Sequence, residues 1–180
     1  GEKRHTYLCD SFAGLPLSSQ TKDDDTWSSA QFLEASQSEV EDNVKRFHVL
    51  DSNVHFKKGY FSESLPKLRQ ELKEAGGQLA VLRRDGDMYE SWMDILYNLY
   101  EFVAVGGYVI CDDCPSMKPT QEAVLDFREH NNISAPIQSV EGSGTGTFWR
   151  KESHKVVNYS HYLEWNATRI FRNKNRSSQA

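Results

Sequence analysis

Short apolar runs along the chain alternate with stretches whose apolar residues fall three and four apart, so strands should alternate with helices. "TYLCD" (6–10) reads as a strand ending on an acid and leaving through the Gly-Pro loop "SFAGLP". Residues 18–31 form a polar loop with the acidic triplet Asp23-Asp24-Asp25. Ser36 and Glu39 make a capping box, and Val40, Val44 and Phe47 predict an amphipathic helix over 37–48. A second strand is expected near 54–57, stopped by Gly59. Ser64, Leu65 and Pro66 open the next helix, Leu65, Leu68 and Leu72 share its apolar face, and Gly76-Gly77 end it.

"QLAVLRR" is a third strand, apolar enough to be buried on both faces. Trp92, Ile95, Leu96, Leu99 and Phe102 mark a helix, and "GGYVICDD" a fourth strand. A short helix over 120–130 and a closing antiparallel pair, "SAPIQSV" and "GTFWRK", complete the pattern. The order predicts an α/β domain with a mainly parallel sheet over residues 1–152. Beyond it, 153–180 reads as a polar tail whose basic part, Arg169 to Arg176, is solvated.

Composition narrows the function more than the fold. At 180 residues with 38% apolar residues the chain can bury one real core. A net charge of −5 argues against a nucleic-acid surface, which needs clustered Lys and Arg. No run is long enough for a membrane span, and the start shows no signal-peptide pattern. Three cysteines, Cys9, Cys111 and Cys114, cannot all pair and point to a reducing, cytoplasmic setting. Without a secretory signal, the N-x-S/T sequons at Asn132, Asn158, Asn166 and Asn175 read as chance.

Two strands end in acids: one at Asp85 and Asp87, the other at Asp112 and Asp113. Ligands of open parallel sheets gather at the carboxyl ends of strands, so neighbouring strands would bring these carboxylates together. Uncompensated, they would repel; oxygen-only ligands suit Mg²⁺ better than Zn²⁺. Helix capping by Asp87 or Glu90 explains one acid but not a second pair. Cys111-x-x-Cys114 closes a strand instead of opening a helix, so one buried and one loop cysteine is the simpler reading than a redox pair. The six histidines show no metal-ligand spacing, and no P-loop or G-x-S-x-G is present.

In order, "DSFAGLP", "HFKKGYFSESLP", "LAVLRRDGDMYES", "GGYVICDD" and "AVLDFREHNNI…GTFWRK" resemble the macrocin O-methyltransferase (TylF-like) family, from about Tyr7 to Lys151. The resemblance implies a Rossmann-like class I methyltransferase fold using S-adenosylmethionine and Mg²⁺ on a hydroxyl of a sugar or other small-molecule acceptor. It implies Asp85, Asp112 and Asp113 as metal ligands, Asp10 as acceptor for the cofactor ribose, and Gly59, Tyr60 and Phe61 beside the adenine. No catalytic residue is assigned: Trp27 stands where some members carry a His, with Asp24 and Asp25 nearby, and Trp92 and Cys114 replace residues usually Thr and Tyr.

Family members also carry a first strand, a glycine-rich turn and a helix before "DSF", and this chain starts after them. The absent strand would lie between those ending at Asp10 and Asp85, so an N-terminal segment or a partner chain is expected to complete the sheet. Two alternatives remain: a non-catalytic remnant serving as a binding or scaffold subunit, and a glycosyltransferase using Asp85-Gly86-Asp87 as a D-x-D.

Overall fold

The computed structural model describes residues 4–16, 18, 23, 33–112, 114 and 116–177, with side chains through Arg169. In chain order the elements are β1 (Thr6–Asp10), α1 (Gln37–Arg46), β2 (Val54–Lys58), α2 (Phe61–Glu74), β3 (Leu79–Arg84) and α3 (Tyr89–Leu99). A 3-10 turn (Tyr100–Phe102), β4 (Val103–Cys111), α4 (Lys118–His130), β5 (Gln138–Ser139), β6 (Thr147–Arg150) and α5 (Tyr159–Ser177) follow.

The described strands form two sheets, not the single one expected. β1 and β2 pair in parallel, and a four-stranded mixed sheet runs β3-β4-β6-β5, with β6 antiparallel to both β4 and β5. Gly107 is fixed by the close packing of β3 and β4: a Cβ there would meet Ala80 O at 2.8 Å and Ala104 O at 2.9 Å. The two-faced burial expected of β3 fails. Leu82 and Arg84 are buried, while Val81 is 50% exposed. One face of β3 packs on the core helix; its other face and its outer edge have no described neighbour strand.

Helix α3 is the centre of the core, with every residue buried. Leu65, Leu68 and Leu72 of α2 pack into the same core, each burial worth about 1.5–3 kcal/mol. Phe127 of α4 meets Tyr97 edge-on at 5.0 Å between ring centres. Helix α2 starts three residues earlier than predicted: Ser64 Oγ donates to the carbonyls of Gly59 and Tyr60, and Pro66 falls inside the helix. The capping box of α1 forms as read, with Ser36 N donating to Glu39 at 2.8 Å and Glu39 N to Ser36 Oγ at 3.3 Å. None of its residues is buried, so the amphipathic stripe packs on nothing described deeply enough to cover it.

The largest correction concerns the segment after residue 152. Residues 159–177 are helix α5, docked on α3. Tyr162 is buried and donates to Asp94 Oδ1 at 2.7 Å. Arg169, expected in solvent, is 6% exposed and grips Asp94 with two bonds of 2.9 and 3.0 Å. Tyr159, Tyr162, Trp165 and Arg169 fall three or four residues apart, which puts one stripe of α5 against the core.

Candidate metal and cofactor site

β3 and β4 end side by side. Arg84 pairs with Cys111, and Asp112 N extends the ladder by donating to Arg84 O at 3.0 Å. Asp85 and Asp112 therefore hold equivalent positions just beyond adjacent strands. Strand period 2 puts Arg83 on the face opposite Leu82 and Arg84, away from the core helix. One nitrogen, Arg83 Nη2, joins the acids, lying 3.2 Å from Asp85 Oδ2 and 2.5 Å from Asp112 Oδ2. Two carboxylates thus converge on one cationic point, and their oxygen-only donors fit a hard divalent ion. Asp113 lies outside the described residues, as do Asp24, Asp25 and Trp27. Among the described residues no group of three or more His, Cys, Asp or Glu comes together as a metal site.

The β1–β2 end supplies the second half of the site. Asp10 stands opposite Lys58, and Gly59 N donates to Asp10 O at 2.9 Å. Gly59 has φ +134°, backbone that glycine accepts and other residues resist. Asp10 Oδ1 accepts from Phe12 N at 2.6 Å and from Ser11 Oγ at 3.5 Å, while Oδ2 has no partner among the described residues. Tyr60 and Phe61 begin α2, and Phe61 reaches across to the other sheet. Its Cε2 is 3.6 Å from where a Cβ on Gly86 would stand.

An open cleft of about 2470 Å³ joins the two halves, and Asp10, Tyr60, Phe61, Asp85, Glu90 and Arg169 are on its wall. Asp112 and Gly59 do not line it, although each touches a residue that does.

Asp87 and Glu90 were expected to serve the turn into α3, and Glu90 does lie in the helix's first turn. The carboxylate of Asp23, from the acidic loop, adds a partner there that was not expected, accepting from the backbone N–H groups of Tyr89 and, at 3.3 Å, Glu90. Sequence alone could not pair residues 66 positions apart. Trp92 Nε1 donates to Gly86 O and ties the Asp85–Asp87 turn to the core.

Arg84 is the other residue the sequence reading missed, although alternation from Leu82 points it inward. It is 1% exposed, lies 3.6 Å over the Trp92 ring and donates to Cys111 Sγ at 2.8 Å; its Nε and Nη1 have no partner among the described residues. Burial lowers its pKa, opposed by the two cysteines. Burial pushes the Cys111 thiol up, but the Cys114 hydrogen bond and Arg84 bring it down to about 6. The same hydrogen bond, and burial, push Cys114 up. Cys111 ends β4 and Cys114 lies in the turn beyond it, as expected, but both are buried. Trp92 stacks on this guanidinium and Cys114 acts on it electrostatically.

An α/β domain with these acids at its strand ends has the architecture of the methyltransferase class. The family model for macrocin-O-methyltransferase (TylF) matches residues 1–151, and the chain belongs to that family. It is 41% identical over 112 residues to the 8-demethyl-8-(2,3-dimethoxy-alpha-L-rhamnosyl)-tetracenomycin-C 4'-O-methyltransferase of Streptomyces olivaceus, covering 62% of this chain and 40% of that protein. It is 38% identical over 119 residues to the demethyldecarbamoylnovobiocin O-methyltransferase of Streptomyces niveus, covering 66% of this chain and 42% of that one. The solved O-methyltransferase NovP superposes with a TM-score of 0.75 at 34% identity, over 84% of this chain and 62% of NovP. The chain thus spans about two fifths of these two curated relatives. The family is that of the methyltransferase resemblance, not of the D-x-D glycosyltransferase alternative.

Proposed function

We propose that this chain carries the metal-binding and ribose-binding parts of an S-adenosylmethionine-dependent O-methyltransferase whose acceptor is a hydroxyl on a sugar or other small molecule. The observation that carries it is the convergence of Asp85 and Asp112 on one point beside the cleft that Asp10 also lines. The names of the relatives, with acceptors that are glycosylated natural products, support the acceptor class.

Asp85 and Asp112, with Asp113, would hold Mg²⁺. Bound there, the ion would supply Lewis-acid activation of the acceptor hydroxyl. Asp10, with Oδ1 already held by Phe12 N, keeps Oδ2 to accept from a ribose hydroxyl of the methyl donor. Tyr60 and Phe61 give the cleft an apolar wall for the adenine. The chain's part is alignment and oxygen activation, since methyl transfer is a displacement at carbon with the sulfonium sulfur as leaving atom.

We further propose that one added strand, from an N-terminal segment or a partner chain, enters between β1 and β3. Each presents an unpaired edge among the described residues, and both line the same cleft. These open edges also favour a second reading, a chain that keeps the metal but does not bind the donor alone.

Calorimetric titration of S-adenosylhomocysteine, with and without Mg²⁺, into this chain and an N-terminally extended one separates the two. Mg²⁺-assisted binding by the extended form is the expected result. Binding by neither form overturns the enzymatic reading.

A further inference from the structure

Arg83 is the one cation in contact with the two acids among the described residues. It makes no other described hydrogen bond, and its side chain is 57% exposed. Among the described residues, Asp85 and Asp112 accept from the same nitrogen and from no other side chain. Without a positive charge at that point, two carboxylates on adjacent strand ends would repel.

A divalent ion bound through Asp112 Oδ2 at about 2.1 Å would lie within about 5 Å of Nη2, because that oxygen is itself 2.5 Å from the nitrogen. An ion that near repels the guanidinium's positive charge and competes with it for the same carboxylate oxygens. An exposed, flexible side chain anchored only by these two acids can leave by rotating into solvent. Nothing else in the described structure has to move.

We propose that Arg83 is a resident counter-cation: it holds Asp85 and Asp112 together in the metal-free chain and is displaced by the incoming divalent ion. The proposal rests on the metal reading above. It makes Arg83 a positioning residue that weakens metal binding while preventing the two ligands from springing apart. Apparent affinity is then reduced by the fraction of chains in which the acids are still occupied by Arg83.

The test is titration of Mn²⁺ into the full chain, followed by electron paramagnetic resonance of the free ion, for wild type, Arg83→Gln and Arg83→Lys. Circular dichroism checks that each variant is folded. Arg83→Gln is expected to bind Mn²⁺ roughly three- to tenfold more tightly, the scale of losing two partly exposed ion pairs. Arg83→Lys keeps the charge without the planar fork, is the safer variant for folding, and is expected to bind more tightly than wild type by a smaller factor.

A second readout follows the side chain itself. The Arg83 ¹⁵Nε–¹Hε resonance, identified by its absence from Arg83→Gln, should shift and sharpen as diamagnetic Mg²⁺ saturates the site. Unchanged or weaker Mn²⁺ binding by the variants, or a resonance that stays put while wild type binds metal, overturns the displacement and leaves the metal reading standing. Failure of every form, wild type included, to bind Mn²⁺ overturns both.

Discussion

Replacing Arg169 by alanine would test whether the last helix belongs to the fold. Arg169 makes two bonds to Asp94, at 2.9 and 3.0 Å, and stands 4.0 Å from Glu90. Asp94 is 3% exposed, so truncation leaves a carboxylate buried with Tyr162 OH as its remaining side-chain donor. Breaking a buried pair from one side costs about 3–5 kcal/mol. A domain's whole stability is about 5–15 kcal/mol, so the loss would be large. Urea unfolding, followed by far-ultraviolet dichroism and tryptophan fluorescence, measures it.

Asp94→Asn combined with Arg169→Ala should recover a good part of the loss, because a neutral amide still accepts from Tyr162. The pH dependence has a definite sign. Burial pushes the Asp94 carboxyl above its ordinary range, while Arg169 and Tyr162 pull it down. Arg169→Ala removes the stronger opposing influence, and the folded pKa rises further above the unfolded value of about 3.9. The folded chain then binds the proton more tightly, so the deficit is smallest below about pH 4 and deepens as pH rises through the folded pKa. A loss below about 1 kcal/mol, as for a surface pair, would refute the docking of α5.

Two further outcomes follow from local physics. Arg84 is one of the groups that bring the Cys111 thiol down to about 6, so Arg84→Met should raise the pH at which the thiolate absorbance of Cys111 appears, and an unchanged titration would refute the pairing. Ser36→Ala should cost helix α1 about 1 kcal/mol of local stability and lower hydrogen-exchange protection over 37–46. Because α1 buries none of its residues, the global unfolding midpoint should not move with it.

What the sequence disclosed follows from how local each signal is. That Asp85 and Asp112 stand together was legible because they end strands: the parallel register that sets Arg84 beside Cys111 also sets Asp85 beside Asp112. The capping box was legible because both partners sit within four residues. Asp23 at the amino end of α3 and Arg169 on Asp94 were not, since they meet partners 66 and 75 residues away. Helix α5 was hidden for a different reason. Its core-facing stripe is made of buried Tyr162 and Arg169 and half-buried Tyr159 and Trp165, side chains with polar ends that read as solvent-facing until Asp94 and Asn98 supply partners to three of them. The apolar run of β3 suggested burial on two faces, but only the face toward α3 is covered.

The central claim is that Asp85 and Asp112 share one divalent ion beside the cleft. Crystals grown with Mn²⁺ and S-adenosylhomocysteine, with data collected at the manganese edge, test it most directly. One anomalous peak is expected, within coordination distance of both carboxylates, and lost in Asp112→Ala. A peak elsewhere, or no peak at saturating Mn²⁺, would contradict it.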